Sequence, residues 1–297
     1  MKPALLLLCV ASPLMAAPDL DQLKTACTHA AGAPASPLAQ GLASFAEAEW
    51  VRFGRGKITE AADDDLVAET PTSHLLSWDK VYQYWVATNS VSVLSYPYAV
   101  QQGTPPAKRM ANAQNEIAAV SAAFVGDPDR LARIVASLRR SAINSTAWSA
   151  VFISTMFKIN GLDANEFEGS PSHAMYMRSA IDHVGRPDTT YRQLPCDPGW
   201  IKPRVGDLVC YSRTPRVRSF ADVMSRYDGD RGLYPFDSHC DVVSKVSPDG
   251  KTLESVGGNV GNSVTRTRRK TATGKIDESR TESGSSNDWV MVLVLTR

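Results

Sequence analysis

Three things are scarce in this sequence: an excess of charge of one sign, closely paired metal or redox ligands, and long apolar runs. Basic and acidic side chains number 32 and 31. Loss of Lys2 with a cleaved leader would leave 31 against 31, so no bulk charge is available to hold a polyanion, and no nucleic-acid partner is expected. No C-x-x-C occurs, which sets aside a zinc ribbon or a thioredoxin-type redox site. No H-x-x-x-H or comparable pairing occurs either. His173, His239, Cys240 and Asp237 are the residues a zinc ion would have to draw on, and their spacing does not favour it, so neither metal nor cofactor is expected. Asp63-Asp64-Asp65 lacks the spacing of an EF-hand loop and reads as a solvated turn. Past the first 17 residues no apolar run is long enough to span a bilayer, so no transmembrane segment is expected, and no internal repeat is visible.

What is present is ordinary in bulk. The 297 residues are 43% hydrophobic and 21% charged, enough for one large domain or two small ones. Residues 1–17 have the form of a secretory signal: Lys2, an apolar stretch from Ala4 to Val10, then small residues that permit cleavage after Ala16 or Ala17. Cys9 has no Gly or Ala before it, which argues against a lipid-anchored cysteine. The expected location is therefore periplasmic or secreted. Cys27, Cys196, Cys210 and Cys240 remain after cleavage, and an even number in an oxidising compartment predicts at least one disulfide. The prolines and Gly206 between Cys196 and Cys210 allow the chain to return and favour that pair.

Read in order, the chain is helical first and strand-forming last. Apolar residues recur at helical spacing over 18–31, 38–53, 74–88, 107–124 and 128–138, the last opened by Asp127-Pro128 as N-cap and first helical residue. A further helix is expected from Ser145 or Thr146 to Asn160-Gly161, with Trp148, Val151, Phe152, Met156 and Ile159 on its buried face, and another over 172–184. After Pro195, Pro198 and Pro203 the pattern alternates. Strands are expected at 208–211, 240–246, 252–256, 263–267 and 289–295, with a polar loop over 271–288. The boundaries implied are 1–17 signal peptide, 18–125 helical N-terminal region and 126–297 catalytic domain. Helices segregated from an antiparallel meander define an α+β class.

Chemistry concentrates in an ordered set of segments. Ser149 lies in the first turn of its helix, where free amide groups and the positive helix end favour developing negative charge. A hydroxyl there is a nucleophile once a base reaches it, although a first-turn serine more often only caps. His239, on the strand Ser238-His239-Cys240-Asp241-Val242-Val243, supplies the base. Asn259, in Gly257-Gly258-Asn259, or Asp241, two residues along from His239 on the same strand face, supplies its orienting group. His173 reads equally as lining the cleft with Tyr176 or as closing a helix start. Asp207 reads as a brace where its strand begins, and Arg266, Arg268, Arg269 and Lys270 as a solvated hairpin edge.

The order Trp148-Ser149-Ala150-Val151-Phe152, Pro203 to Leu208, Ser238 to Val243, then Gly257-Gly258-Asn259 resembles the CHAP and NlpC-type papain-like hydrolases over about residues 145–266. Trp148 to Ser154, Ser172-His173 with Tyr176, Gly206 to Cys210, Ser238 to Val243 and Gly257 to Val264 together resemble domain of unknown function 2272, a family of exported bacterial proteins. The resemblance to the hydrolases implies a papain-like fold with a nucleophile helix packed on an antiparallel sheet. It also implies a Ser149, His239, Asn259 (or Asp241) site acting on cell-wall peptide or amide bonds, with Trp148, His173, Tyr176 and Gly258 toward the substrate. The CHAP and NlpC-type hydrolases use cysteine where this chain has Ser149. A serine has no thiolate route and relies on its histidine, which makes a serine esterase or lipase on the same fold an alternative. A catalytically inactive domain that binds cell-wall fragments or a protein partner is the other.

Overall fold

The computed structural model describes residues 18–55, 57–59, 75–91, 94, 122, 126–186, 189–229, 236–272, 275–276, 281–282, 285–286 and 288–296. The expected signal segment 1–17, Asp63-Asp64-Asp65, His74 and all of the expected helix 107–124 except Ala122 lie outside these residues.

The architecture is α+β. Seven helices are present among the described residues: α1 (Leu20–Gly32), α2 (Pro37–Arg52), α3 (Leu75–Ala87), α4 (Pro128–Ser145), α5 (Ser149–Ile159), α6 (His173–Asp182) and α7 (Phe220–Gly229). The strands are β1 (Lys57–Thr59), β2 (Gln193–Cys196), β3 (Leu208–Ser212), β4 (Ser238–Val246), β5 (Thr252–Val260), β6 (Ser263–Ala272), the short β7 (Lys275–Ile276), β8 (Thr281–Glu282) and β9 (Ser285–Ser286), and β10 (Asp288–Leu295). Six strands run antiparallel in the order β6-β5-β4-β3-β10-β2, and β1 lies parallel to β6 at one edge. The final strand thus inserts between β2 and β3, buried along its whole length.

Local chemistry sets the helix ends. Asp19 accepts from the amides of Asp21 and Gln22, Ser36 from Ala39 with Pro37 at the first helical position, and Asp127 from Arg130. Helix α5 stops at Asn160-Gly161, where Gly161 has φ +90°, a conformation that costs glycine nothing. Helix α5 contacts β4, β5, α2 and α3, so it is apolar nearly all round rather than along one stripe: every residue from Ser149 to Phe157 is buried. Its polar members are satisfied inside, Ser154 by the backbone of Ser170 and Thr155 by the carbonyl of Tyr84. Ile159, expected on the buried face, is 58% exposed because the helix end emerges from the core.

Helices α1 and α2, from the region 18–125, share one core with the sheet: Leu23, Cys27, Leu42 and Trp50 pack in the same cluster as Val242, Val292 and Leu295. Where β3 begins, Gly206 (φ +89°) sits so close to α2 that a side chain would meet Ala39 at 2.5 Å. Asp207 is buried beside it and accepts from the amides of Arg204 (2.7 Å) and Leu295 (2.9 Å), with the Arg204 guanidinium alongside. Burial nevertheless raises its carboxyl above the ordinary value.

The disulfides are Cys27–Cys196 and Cys210–Cys240, which corrects the expected Cys196–Cys210 pair. The reason is topological. Cys196 on β2 and Cys210 on β3 flank β10, so they stand two strand spacings apart, about 10 Å, beyond the reach of a bridge. Cys210 instead faces Cys240 directly across β3 and β4. The Cys27–Cys196 bond spans 169 residues and Cys210–Cys240 spans 30. Loop-closure entropy then predicts a loss of up to about 5 kcal/mol for Cys27→Ser with Cys196→Ser, against about 3–4 kcal/mol for the other pair. Urea midpoints of the two double variants, compared without reductant, check the order.

Candidate functional site

Ser149 owes its position to the junction between two helices. Ser145 and Thr146, expected to cap its helix, close the preceding one instead: α4 runs to Ser145, and the Thr146 hydroxyl donates to the carbonyl of Ala142 at 2.8 Å. Helix α5 therefore opens at Ser149 with Trp148 as its cap residue, and no side chain satisfies its first amides. The first intrahelical bond runs from the Phe152 amide to the Trp148 carbonyl, so the amides of Ser149, Ala150 and Val151 have no intrahelical acceptor.

Two imidazoles meet at this helix start. The Ser149 Oγ lies 2.7 Å from His173 Nε2, and His173 Nδ1 is hydrogen-bonded to the Tyr176 hydroxyl. Both come from the first turn of α6, three residues apart on one helix face. The His173 ring centroid is 5.1 Å from that of His239. His239 is fully buried on β4, and its Nε2 pairs with Asp241 Oδ1 at 2.8 Å. Strand alternation puts His239 and Asp241 on one face and turns Cys240 to the other, where it meets Cys210. The Asp241 carboxylate also accepts from the Ser255 hydroxyl at 3.1 Å and lies 3.6 Å from Arg269.

The electrostatics follow from burial and partners. Burial alone would raise the Asp241 carboxyl, but His239, Arg269 and the Ser255 hydroxyl outweigh it and hold it below the usual range. Asp241 is thus an anion that accepts from His239 Nε2, which carries a proton. His239 Nδ1 is buried and has no hydrogen-bond partner. Burial drives His173 well below the ordinary histidine value, reinforced by His239 and Arg213, so it stays neutral at pH 7. Tyr176, fully buried, is held well above the usual phenol range.

The structure thus brings together Ser149, His239, Asp241, His173 and Tyr176. It does not bring Asn259 to His239. Asn259 has φ +60° in a bulge where β5 slips one residue against β6, a conformation asparagine tolerates better than most residues. Asp241 occupies the orienting place because the i, i+2 relation on one strand needs no help from a neighbour. Trp148 and Gly258, expected toward substrate, are core. Trp148 packs on Phe53 and Tyr84, and a side chain at Gly258 would meet Phe152 at 2.7 Å and Trp148 at 2.9 Å. Ser255 and Arg269 are site residues that sequence reading missed. The basic run is no solvated edge throughout: Arg268 is exposed, but Arg266 stacks 3.5 Å over Trp50 and pairs with Glu47, and Arg269 stacks 4.4 Å over Trp289. Alternation along β6 was the available signal, since Arg269 shares the parity of the buried Ser263, Thr265 and Thr267.

A family model described as uncharacterised proteins conserved in bacteria, DUF2272, matches residues 72–295. The chain belongs to the DUF2272 family. No curated protein and no solved structure matches it. The DUF2272 match spans every site residue named above, from Ser149 to Arg269, and leaves α1 and α2 before it although both are built into the same core. Two disulfides fit a bacterial protein outside the cytoplasm, and no described helix is long and apolar enough to cross a membrane. Among the described residues no cluster of His, Cys, Asp or Glu is arranged to hold a metal ion.

Proposed function

We propose that this protein is an exported serine hydrolase with a papain-like arrangement of its site, acting by acyl transfer. One observation supports this above the others: a serine hydroxyl at an uncapped helix start contacts one buried imidazole, and a second imidazole, oriented by a buried carboxylate, lies alongside. Ser149 is the nucleophile. His239, whose Nδ1 is buried without a hydrogen-bond partner, is the base assigned to take its proton, and Asp241 orients and stabilises the resulting imidazolium. The amides at the start of α5 face the charge that develops on the carbonyl oxygen. The resemblance to the CHAP and NlpC-type hydrolases makes cell-wall peptide or amide bonds the first substrate class.

Two observations keep rivals in play. The nucleophile is a serine, and esters demand less activation than amides, which favours an esterase or lipase reading. Ser149 is only 6% exposed, which favours a closed domain that binds rather than cleaves. A serine-directed fluorophosphonate followed by peptide mass mapping separates the readings. Labelling at Ser149 is the expected result. Products released from purified peptidoglycan, or from phospholipid vesicles, then name the bond. Absence of both label and product leaves the binding-domain reading in place.

A further inference from the structure

Ser149 touches a histidine that the proposed mechanism does not use as its base. Which proton His173 carries follows from counting donors. The Tyr176 hydroxyl is fully buried, and its one hydrogen-bond partner is His173 Nδ1. If Nδ1 carried the proton, it would donate to the phenol oxygen, and the phenol hydrogen would be left in the core without an acceptor. Buried donors are rarely abandoned in this way. If Tyr176 donates instead, Nδ1 is the acceptor, and the neutral ring carries its hydrogen on Nε2, 2.7 Å from Ser149 Oγ. The doubly protonated ring is opposed by burial and by His239 and Arg213. With Tyr176 O–H donating to Nδ1 and Nε2–H to Ser149 Oγ, the fully buried phenol is satisfied, and the one hydrogen left over belongs to Ser149, which is 6% exposed. His239 lies in the same cluster, its ring centroid 5.1 Å from that of His173 and its Nδ1 without a hydrogen-bond partner.

We propose that His173 is a catalytic hydrogen-bond donor, a neutral imidazole whose Nε2–H holds the nucleophile oxygen, with Tyr176 as the positioning residue that fixes its tautomer. The assignment of a reaction to this donor rests on the serine-hydrolase reading, but the tautomer does not. During attack the Ser149 Oγ–H bond breaks, its proton passes to His239 Nδ1, Oγ bonds to the acyl carbon, and the carbonyl π pair moves to the carbonyl oxygen. His173 gives up no proton. It stabilises partial negative charge on Oγ as the bond forms, and again when Oγ departs from the acyl-enzyme and recovers its proton from His239.

Two measurements test this, one of them independent of activity. Long-range proton–nitrogen correlation spectra of histidine-labelled protein at pH 7.5 should show one neutral ring protonated at Nε2 that disappears in His173→Gln. In Tyr176→Phe the same ring should lose its single tautomer. A His173 ring protonated at Nδ1, or at both nitrogens, overturns the proposal whether or not the protein is an enzyme. In turnover, glutamine can present an N–H where His173 Nε2 stands but cannot act as a base. His173→Gln should therefore keep kcat within about tenfold of wild type with KM unchanged, whereas His173→Leu should lose on the order of 10²-fold or more in kcat. Loss of fluorophosphonate labelling in His173→Gln, together with its retention in His239→Gln, reverses the two roles and sinks the assignment. Failure of the wild-type protein to label at all counts against the hydrolase reading while leaving the spectra to decide the tautomer.

Discussion

Ser149→Ala will lower turnover on any substrate the wild-type protein cleaves by on the order of 10³- to 10⁶-fold, with little change in stability. The two halves have separate causes. Removing the nucleophile of a site that acts as a unit removes nearly all of its chemistry, and only binding and helix-start electrostatics remain. The fold loses much less. Ser149 caps nothing, and its side chain makes one hydrogen bond, to His173, so about 1 kcal/mol is at stake. Circular dichroism and a urea midpoint close to wild type would establish that the lost rate is chemical. Ser149→Cys is the sharper companion. A thiol at a helix start in this two-histidine cluster gains thiolate character, so this variant should keep measurable turnover of activated esters and become sensitive to iodoacetamide. An alanine variant with full activity on every substrate would show that the nucleophile lies elsewhere.

Much of this arrangement is legible in the sequence, for reasons that differ from element to element. The order of motifs pointed to Ser149 and His239, with Asn259 or Asp241 to orient the histidine, and the i, i+2 pair on a strand is local geometry that brings Asp241 to His239. The antiparallel run from β3 to β6 follows from alternation and turn residues, and the observed β4, β5 and β10 agree with the expected ranges to within a few residues, while β2 has no counterpart among the expected strands. What is non-local was harder to read. Nothing in the spacing of Cys196 and Cys210 announces that the last strand will insert between theirs. Asn259 fits both an orienting residue and a left-handed bulge, and only the strand register decides. His173 illustrates the same limit. Its helix was expected, yet its contact with Ser149 depends on how α6 packs against the sheet, a choice made by tertiary burial rather than by periodicity.

The second large effect is expected at Gly257, which neighbours the site without contributing a side chain. A Cβ there would overlap Asp241 Oδ1 and lie 2.8 Å from His239 Nε2. Unlike Gly206 or Gly161, Gly257 does not have a positive φ, so the obstacle is contact rather than backbone strain. Gly257→Ala must therefore push the carboxylate off the imidazole. The predicted cost is about 1–3 kcal/mol of overpacking, and turnover should fall on the order of 10²- to 10⁴-fold, as expected when a catalytic histidine loses its orienting carboxylate. Asp241→Asn tests the electronic part alone, since it keeps the shape and removes the anion. The double variant Gly257→Ala with Asp241→Ala tests the steric part. Deleting the side chain that the new methyl strikes should make the pair more stable than the sum of the two single losses, a coupling of opposite sign to simple damage, while activity stays low. Gly258→Ala serves as the contrast: its methyl would strike Phe152 and Trp148 in the core, away from the carboxylate, so stability should fall further than rate. If Gly257→Ala turns over substrate at the wild-type rate, Asp241 does not orient the base, and His239 must be held by some other group.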